Sequence, residues 1–192
     1  MGITILHHLG LGDQIMLNGM IRHFSERDRV TIFIKRYQYE SVSFMYRDID
    51  VNIICLDSVN PHTMRSLIPE GDTVIPLATY RLPDQIWNQI TQNSDFMTNW
   101  AHGVYIQAGV NPLYMYTKFR VDRDHERENA LFDVLAPKEK YIFMHDDPSR
   151  DRVYEVSTGL KIFKPGGVCV DKINEFFKNE HDNIFDYLKI IE

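Results

Sequence analysis

His7, His8 and Asp13 crowd the junction between a short apolar run and an amphipathic stretch, Ile3-Thr4-Ile5-Leu6-His7-His8-Leu9-Gly10-Leu11-Gly12-Asp13-Gln14-Ile15. Apolar run, Gly-x-Gly and amphipathic stretch read as strand, tight loop and helix. Glycines let the backbone turn and approach a ligand closely. The helix then aims its unpaired N–H groups and positive dipole end at whatever the loop holds: a phosphate, a carboxylate or a sugar hydroxyl. Asp13 and His8 are the candidate catalytic pair; Gly10, Gly12 and Gln14 are candidate binding residues. A carboxylate in a first helical turn is also an ordinary cap, so Asp13 has a purely structural reading too. The stretch departs from two common nucleotide fingerprints. Ile15 stands where G-x-G-x-x-G needs its third glycine, and no Gly-Lys-Ser/Thr occurs in the chain.

A second cluster, His145-Asp146-Asp147-Pro148-Ser149-Arg150-Asp151-Arg152, follows the apolar run Tyr141-Ile142-Phe143-Met144. Ligands in open α/β sheets bind outside the carboxyl ends of strands. Arg150 and Arg152 suit a phosphate through paired hydrogen bonds. Ser149 adds a hydroxyl and His145 a donor for phosphate or ribose; Asp147 and Lys164 complete the candidate donor-binding set. The competing reading is a solvated turn whose arginines pair with its own aspartates. The Asp146-Asp147 pair lacks the outer D-x-D spacing of a metal–diphosphate site, and His7, His8 and His145 lack zinc-ligand spacing. No metal is expected. Tyr37, Tyr39, Phe44, Tyr46, Tyr114 and Tyr116 are candidates for stacking on sugars, although aromatics at such spacing more often fill a core.

The elements that must position these groups alternate. Residues 3 to 8, 30 to 35, 51 to 56 and 73 to 77 read as buried strands; 13 to 25, 38 to 46 and 61 to 68 carry helical spacing. Apolar runs joined by crossover helices predict a parallel sheet with both faces covered. Residues 83 to 92 and 95 to 109 continue as helices, the second stopped by Gly109 and Pro112, with Pro61 and Pro69 in a loop and a helix stop. Asp122 or Asp124 caps a further helix to Leu135, with Ala130, Leu131, Val134 and Leu135 on its apolar side. Ala136-Pro137 breaks that pattern, which sets a boundary between a domain at 1–137 and one at 138–192. The second repeats strand and polar loop, adds a strand at 160 to 164 and a helix from about 171, and ends on a capped helix, 183 to 192, while still periodic. That implies a partial second domain, whose open sheet edge invites pairing into a homo-oligomer.

The 192 residues are 44% hydrophobic with a formal net charge of -6, enough for one good core. Nucleic-acid binding normally shows a basic excess, and none dominates. Cys55 and Cys169 are far apart and outside any C-x-x-C, which points to buried free thiols in a reducing compartment. No signal peptide and no spanning segment is evident, so the expected location is the cytoplasm, including that of a virus-infected host cell.

Two loop sites on two Rossmann-like halves, facing one crevice, resemble the GT-B glycosyltransferases. His7-His8-Leu9-Gly10-Leu11-Gly12-Asp13 looks like the opening of the heptosyltransferase-like branch, in which a Gly-Asp begins the first helix. HHLGLGDQIMLNGMIRHF, VSFMYRD, YIFMHDDPSR and NIFDYLKIIE together look like a group of uncharacterised glycosyltransferase-like proteins of viral and environmental sequences. The resemblance implies an acceptor-side N-terminal domain and a partial donor-side C-terminal domain. It implies transfer of a sugar from a nucleotide-sugar to an acceptor hydroxyl, on a glycan or another molecule, without a metal or other cofactor. Carried over, Asp13 is the general base and Arg150, with Ser149, steadies the leaving diphosphate. The second domain stops short of the acid that contacts the nucleotide in such folds, which leaves a non-catalytic nucleotide-, sugar- or protein-binding module as the alternative. A methyltransferase using S-adenosylmethionine would show a fuller glycine-rich stretch than Leu9-Gly10-Leu11-Gly12.

Overall fold

The four Ile- and Val-rich runs of the first half are strands in a computed structural model, which describes residues 2–7, 10–57, 61–77, 96–135, 138–144, 154–163 and 183–191. They are β1 (Gly2–Leu6), β2 (Arg29–Lys35), β3 (Val51–Leu56) and β4 (Thr73–Pro76). All pair in parallel, in the order β3-β2-β1-β4. Between them run α1 (Leu11–Ser25), a 3-10 turn at Arg36–Gln38 leading into α2 (Tyr39–Met45), and α3 (Pro61–Ser66). Pro61 is the first residue of α3 rather than part of a loop; its missing N–H costs nothing there.

Alternation along the strands supplies both faces of the sheet. Leu6, Phe33 and Leu56 pack with Met64 of α3. Ile5, Ile32 and Ile34, also buried, point to the other face, where α1 lies against β2. The register pairs Ile5 with Ile32 and with Ile75. Beyond the strand ends, the Leu77 N–H donates to the Leu6 carbonyl at 2.9 Å, so β1 and β4 stay joined where the chain leaves them. From the middle of β1, the Thr4 hydroxyl donates to Asp72 Oδ2, just before β4, at 2.7 Å.

α4 (Phe96–Gln107) ends as the sequence predicts, with Gly109 in the left-handed region at φ 69° and the Val110 N–H on the Tyr105 carbonyl at 2.9 Å. Tyr105 of α4 is fully buried. Its hydroxyl donates to the Met16 carbonyl at 2.9 Å and accepts from the Met20 N–H at 3.1 Å. An α-helix would ordinarily join those two groups to each other, so the hydroxyl is a bridge within the ladder of α1. Burial pushes the Tyr105 pKa up to about 12, so it keeps its proton. Tyr105→Phe is expected to cost about 1 to 2 kcal/mol in urea unfolding. A loss under about 0.3 kcal/mol would mean that α1 closes its own bond at no cost.

A short helix that periodicity did not show, α5 (Tyr114–Thr117), lies across α1. Lys118 follows it, bonding Glu26 Oε1 and Oε2 at 2.6 and 2.7 Å and approaching His23 Nδ1 at 3.3 Å. The His23 ring packs on Tyr114 at 4.8 Å. Burial first, then the charge of Lys118, holds the His23 pKa below its ordinary 6.5. The unfolded chain therefore binds the proton more readily, so this contribution to stability is complete above about pH 6.5 and is lost as pH falls through the folded value. The stability difference between wild type and His23→Gln is expected to shrink between about pH 7.5 and about pH 5; a difference that stays constant would show that His23 titrates alike in both states.

The chain divides into two compact units, Met1–Asp122 and Arg123–Glu192. The division precedes the expected boundary near residue 137 because α6 (His125–Leu135) packs with the C-terminal turn. In the second unit β5 (Tyr141–Phe143) and β6 (Lys161–Phe163) pair in parallel. Asp124, not Asp122, caps α6, its Oδ1 accepting from the Arg127 N–H at 3.1 Å. Ala130 is exposed, and the side of α6 that is buried carries Glu128, which Arg123 grips through Nε at 2.9 and 3.1 Å. The Arg123 hydrogen bonds hold the Glu128 carboxyl below its usual range. The C-terminal segment is a 3-10 turn, Ile184–Tyr187, running into α7 (Leu188–Ile191). Asn183 caps it through the Phe185 N–H at 3.1 Å, and Asp186 pairs with Arg127 at 2.5 Å. The expected helices at 83 to 92 and from about 171 lie outside the described residues.

Candidate functional site

Strand order decides where a ligand would sit. The chain runs from β1 to β2 to β3 on one side of β1, then crosses to β4 on the other. In such sheets the crevice outside the carboxyl ends of the two strands between which the order reverses is the binding position. Here those ends are Leu6 and Pro76, and the segment that leaves β1 carries His7, Gly10, Gly12, Asp13 and Gln14.

Local geometry revises the reading of that segment. α1 begins at Leu11, so Gly10 is its N-cap residue and Gly12 lies in its first turn. Gly10 has φ -74° and ψ 178°, an extended conformation open to any residue. Glycine is therefore not needed for the turn itself. Open space surrounds the position a Gly12 Cβ would take, and Gly12 is exposed. The described residues thus make no demand for glycine at 12. Asp13 Oδ2 accepts from the Gly10 N–H at 2.8 Å. That is one half of a capping box; Gly10, with no side chain, cannot return the other half.

Behind the loop lies a buried polar pair that Gly-x-Gly spacing did not announce. His7 is 1% exposed and Gln14 is 0% exposed. Gln14 Nε2 lies 3.4 Å from His7 Nε2 and donates to the Phe33 carbonyl at 3.4 Å. Gln14 Oε1 is buried and, among the described residues, has no hydrogen-bond partner. A buried unsatisfied carbonyl oxygen costs about 1 to 3 kcal/mol, a cost commonly tolerated at functional positions. The sequence did hold a signal: Gln14, Asn18 and Arg22 recur at intervals of four on the buried side of α1, a polar stripe where an amphipathic helix carries apolar residues. Asn18 exchanges hydrogen bonds with the backbone of residue 120, and Arg22 binds Asp48, so the stripe organises the fold below the loop as well.

Comparison with protein-family models, with curated proteins and with solved structures finds no match.

His8, His145, Asp147, Ser149, Arg150 and Lys164 lie outside the described residues, as does Cys169. Cys55, expected to be buried, is a free thiol of intermediate exposure in β3, and burial raises its pKa. Of the aromatic candidates, Tyr46 is core and Phe44 lies 3.6 Å beneath the Arg47 guanidinium. Tyr114 packs on His23, while Tyr37, Tyr39 and Tyr116 are exposed. Among the described residues no helix is long and apolar enough to cross a membrane.

Proposed function

We propose that the chain is a glycosyltransferase of the GT-B kind, taking its acceptor in the crevice beside Gly10–Gln14 and its nucleotide-sugar donor through the polar loop 145–152. The supporting observation is the strand order β3-β2-β1-β4, because it makes the β1–α1 segment the edge of the switch-point crevice. The rest comes from the resemblance. Asp13 would take the proton from the acceptor hydroxyl, with His8 as the second catalytic candidate. Arg150, with Ser149, His145, Asp147 and Lys164, would hold the diphosphate without a metal. The substrates are a nucleotide-sugar and a glycan or other hydroxyl compound.

A second reading is a module that binds such a ligand and does no chemistry. The bond from the Gly10 N–H to Asp13 favours it, since capping accounts for the carboxylate by itself.

Asp13→Asn separates the two. Asparagine keeps an oxygen for the Gly10 N–H but cannot act as the base. A melting-temperature screen against nucleotide-sugars would identify the donor first. With that donor, Asp13→Asn is expected to slow transfer about a hundredfold or more while the unfolding midpoint holds. Undiminished transfer in the variant would remove Asp13 from the reaction. Binding without turnover in the wild type would support the module.

A further inference from the structure

A cavity of about 640 Å³ opens on the first unit away from the crevice. Its walls include Arg29, which starts β2, Asn52 near the start of β3, Tyr39 and Ser43 of α2, and Tyr46 and Arg47 just after it. Because the strands are parallel, Arg29 and Asn52 mark the end of the sheet opposite the crevice, about 20 Å away along the seven residues of β2.

Two arginines, Arg29 and Arg47, line the cavity. Arg29 is 58% exposed and lies 3.9 Å from Asp72 Oδ1, while Asp72 Oδ2 accepts from Thr4. Arg47 is positioned by neutral groups: the Phe44 carbonyl at 2.9 Å, the Asp122 carbonyl, and the Phe44 ring. Its fork is therefore held in place while its charge stays available. Asp50 is the one acid among the lining residues. Tyr46 is 2% exposed, and its buried hydroxyl has no hydrogen-bond partner among the described residues. Two guanidiniums in an open, polar cavity, Arg47 held in place and Arg29 exposed, match the oxygens of a phosphate better than any neutral ligand. The volume falls within the range that holds a small metabolite.

We propose that this cavity is a binding site for a small phosphate monoester, its phosphate held by Arg29 and Arg47 and its body resting against Tyr39. The site is independent of the crevice and of the transfer reaction.

The test is a titration of the isotopically labelled full chain, followed by NMR, with inorganic phosphate, glucose 6-phosphate and glucose. Both phosphates are expected to shift the Nε–H signals of Arg29 and Arg47, and glucose is not. Arg29→Ala, at an exposed position, is expected to weaken glucose 6-phosphate about tenfold or more with the fold intact. Arg47→Lys, which keeps the charge but loses the fork, is expected to weaken it as well. Asp13→Asn is expected to leave the affinity unchanged. The proposal falls if neither phosphate shifts those signals, if Arg29→Ala binds as wild type does, or if the shifts map to Gly10–Gln14.

Discussion

Arg22→Ala is expected to lower stability by about 3 kcal/mol, the low end of the cost of breaking a buried ion pair. The Arg22 side chain is 9% exposed and its partner Asp48 21%. Nη1 and Nη2 bind the two Asp48 oxygens at 2.8 Å each, Nη2 also binds the Met45 carbonyl at 2.9 Å, and Nε binds the carbonyl of Arg120 at 3.1 Å. One side chain of α1 thereby ties down the end of α2 and the segment that leads out of the first unit. Truncation strands a carboxylate and the Met45 carbonyl, while the Arg120 carbonyl keeps Asn18 and Arg120 reaches Asp48 only at 3.9 Å. The Arg22 hydrogen bonds also hold the Asp48 carboxyl below its ordinary 3.8. Asp48 therefore adds stability above that value that is lost as pH falls through the folded one. Arg22→Ala should flatten this acid limb, and Arg22→Lys should fall between the two, since one ammonium cannot serve all the acceptors. Urea unfolding at neutral and acid pH reads both effects; a loss under about 1 kcal/mol, with the acid limb unchanged, would mean water replaces the guanidinium adequately.

Gly19→Ala is expected to destabilise by about 2 to 4 kcal/mol, although alanine is the better helix former by about 1 kcal/mol. A Cβ at position 19 would lie 2.7 Å from the Tyr114 carbonyl carbon and 3.3 Å from the Met115 Cα, and nearer still to the Tyr114 oxygen. These are backbone atoms, so no side-chain rotation relieves the overlap. α5 would have to lift from α1, straining the Lys118–Glu26 pair and the Asn18 bonds to residue 120. Gly12→Ala in the same helix is the control, because its Cβ meets open space. It is expected to be neutral or stabilising by up to about 1 kcal/mol. Equal melting temperatures for the two variants would remove the close approach of α5 as the reason for glycine at 19.

The strands of the first half were legible because each is a short Ile- and Val-rich run bounded by turn residues; β4, read as a buried strand, is instead exposed at Thr73, Val74 and Pro76 because it is an edge strand of the described sheet. Gly109 was legible as a helix stop because a left-handed residue is chemically distinctive. α5 was not, since four residues are too few to show a helical period. Ala136-Pro137 is the strongest local break in the sequence, whereas contacts with the C-terminal turn group α6 with the second unit. The tight glycine turn was overstated: the residue types fit it, but Gly10 adopts an ordinary extended backbone.

What local chemistry dictates could be read from the chain: an α/β alternation, a parallel sheet, and a helix that starts beside Asp13. Strand order could not, because nothing in the pattern of β4 says on which side of β1 it pairs. The tertiary structure placed β4 beside β1, and with that placed the β1–α1 segment at the switch point. It likewise decided that Gln14, Asn18 and Arg22 face inward. Burial of a polar side chain depends on partners such as Phe33, Arg120 and Asp48, which only the folded chain brings within hydrogen-bonding distance.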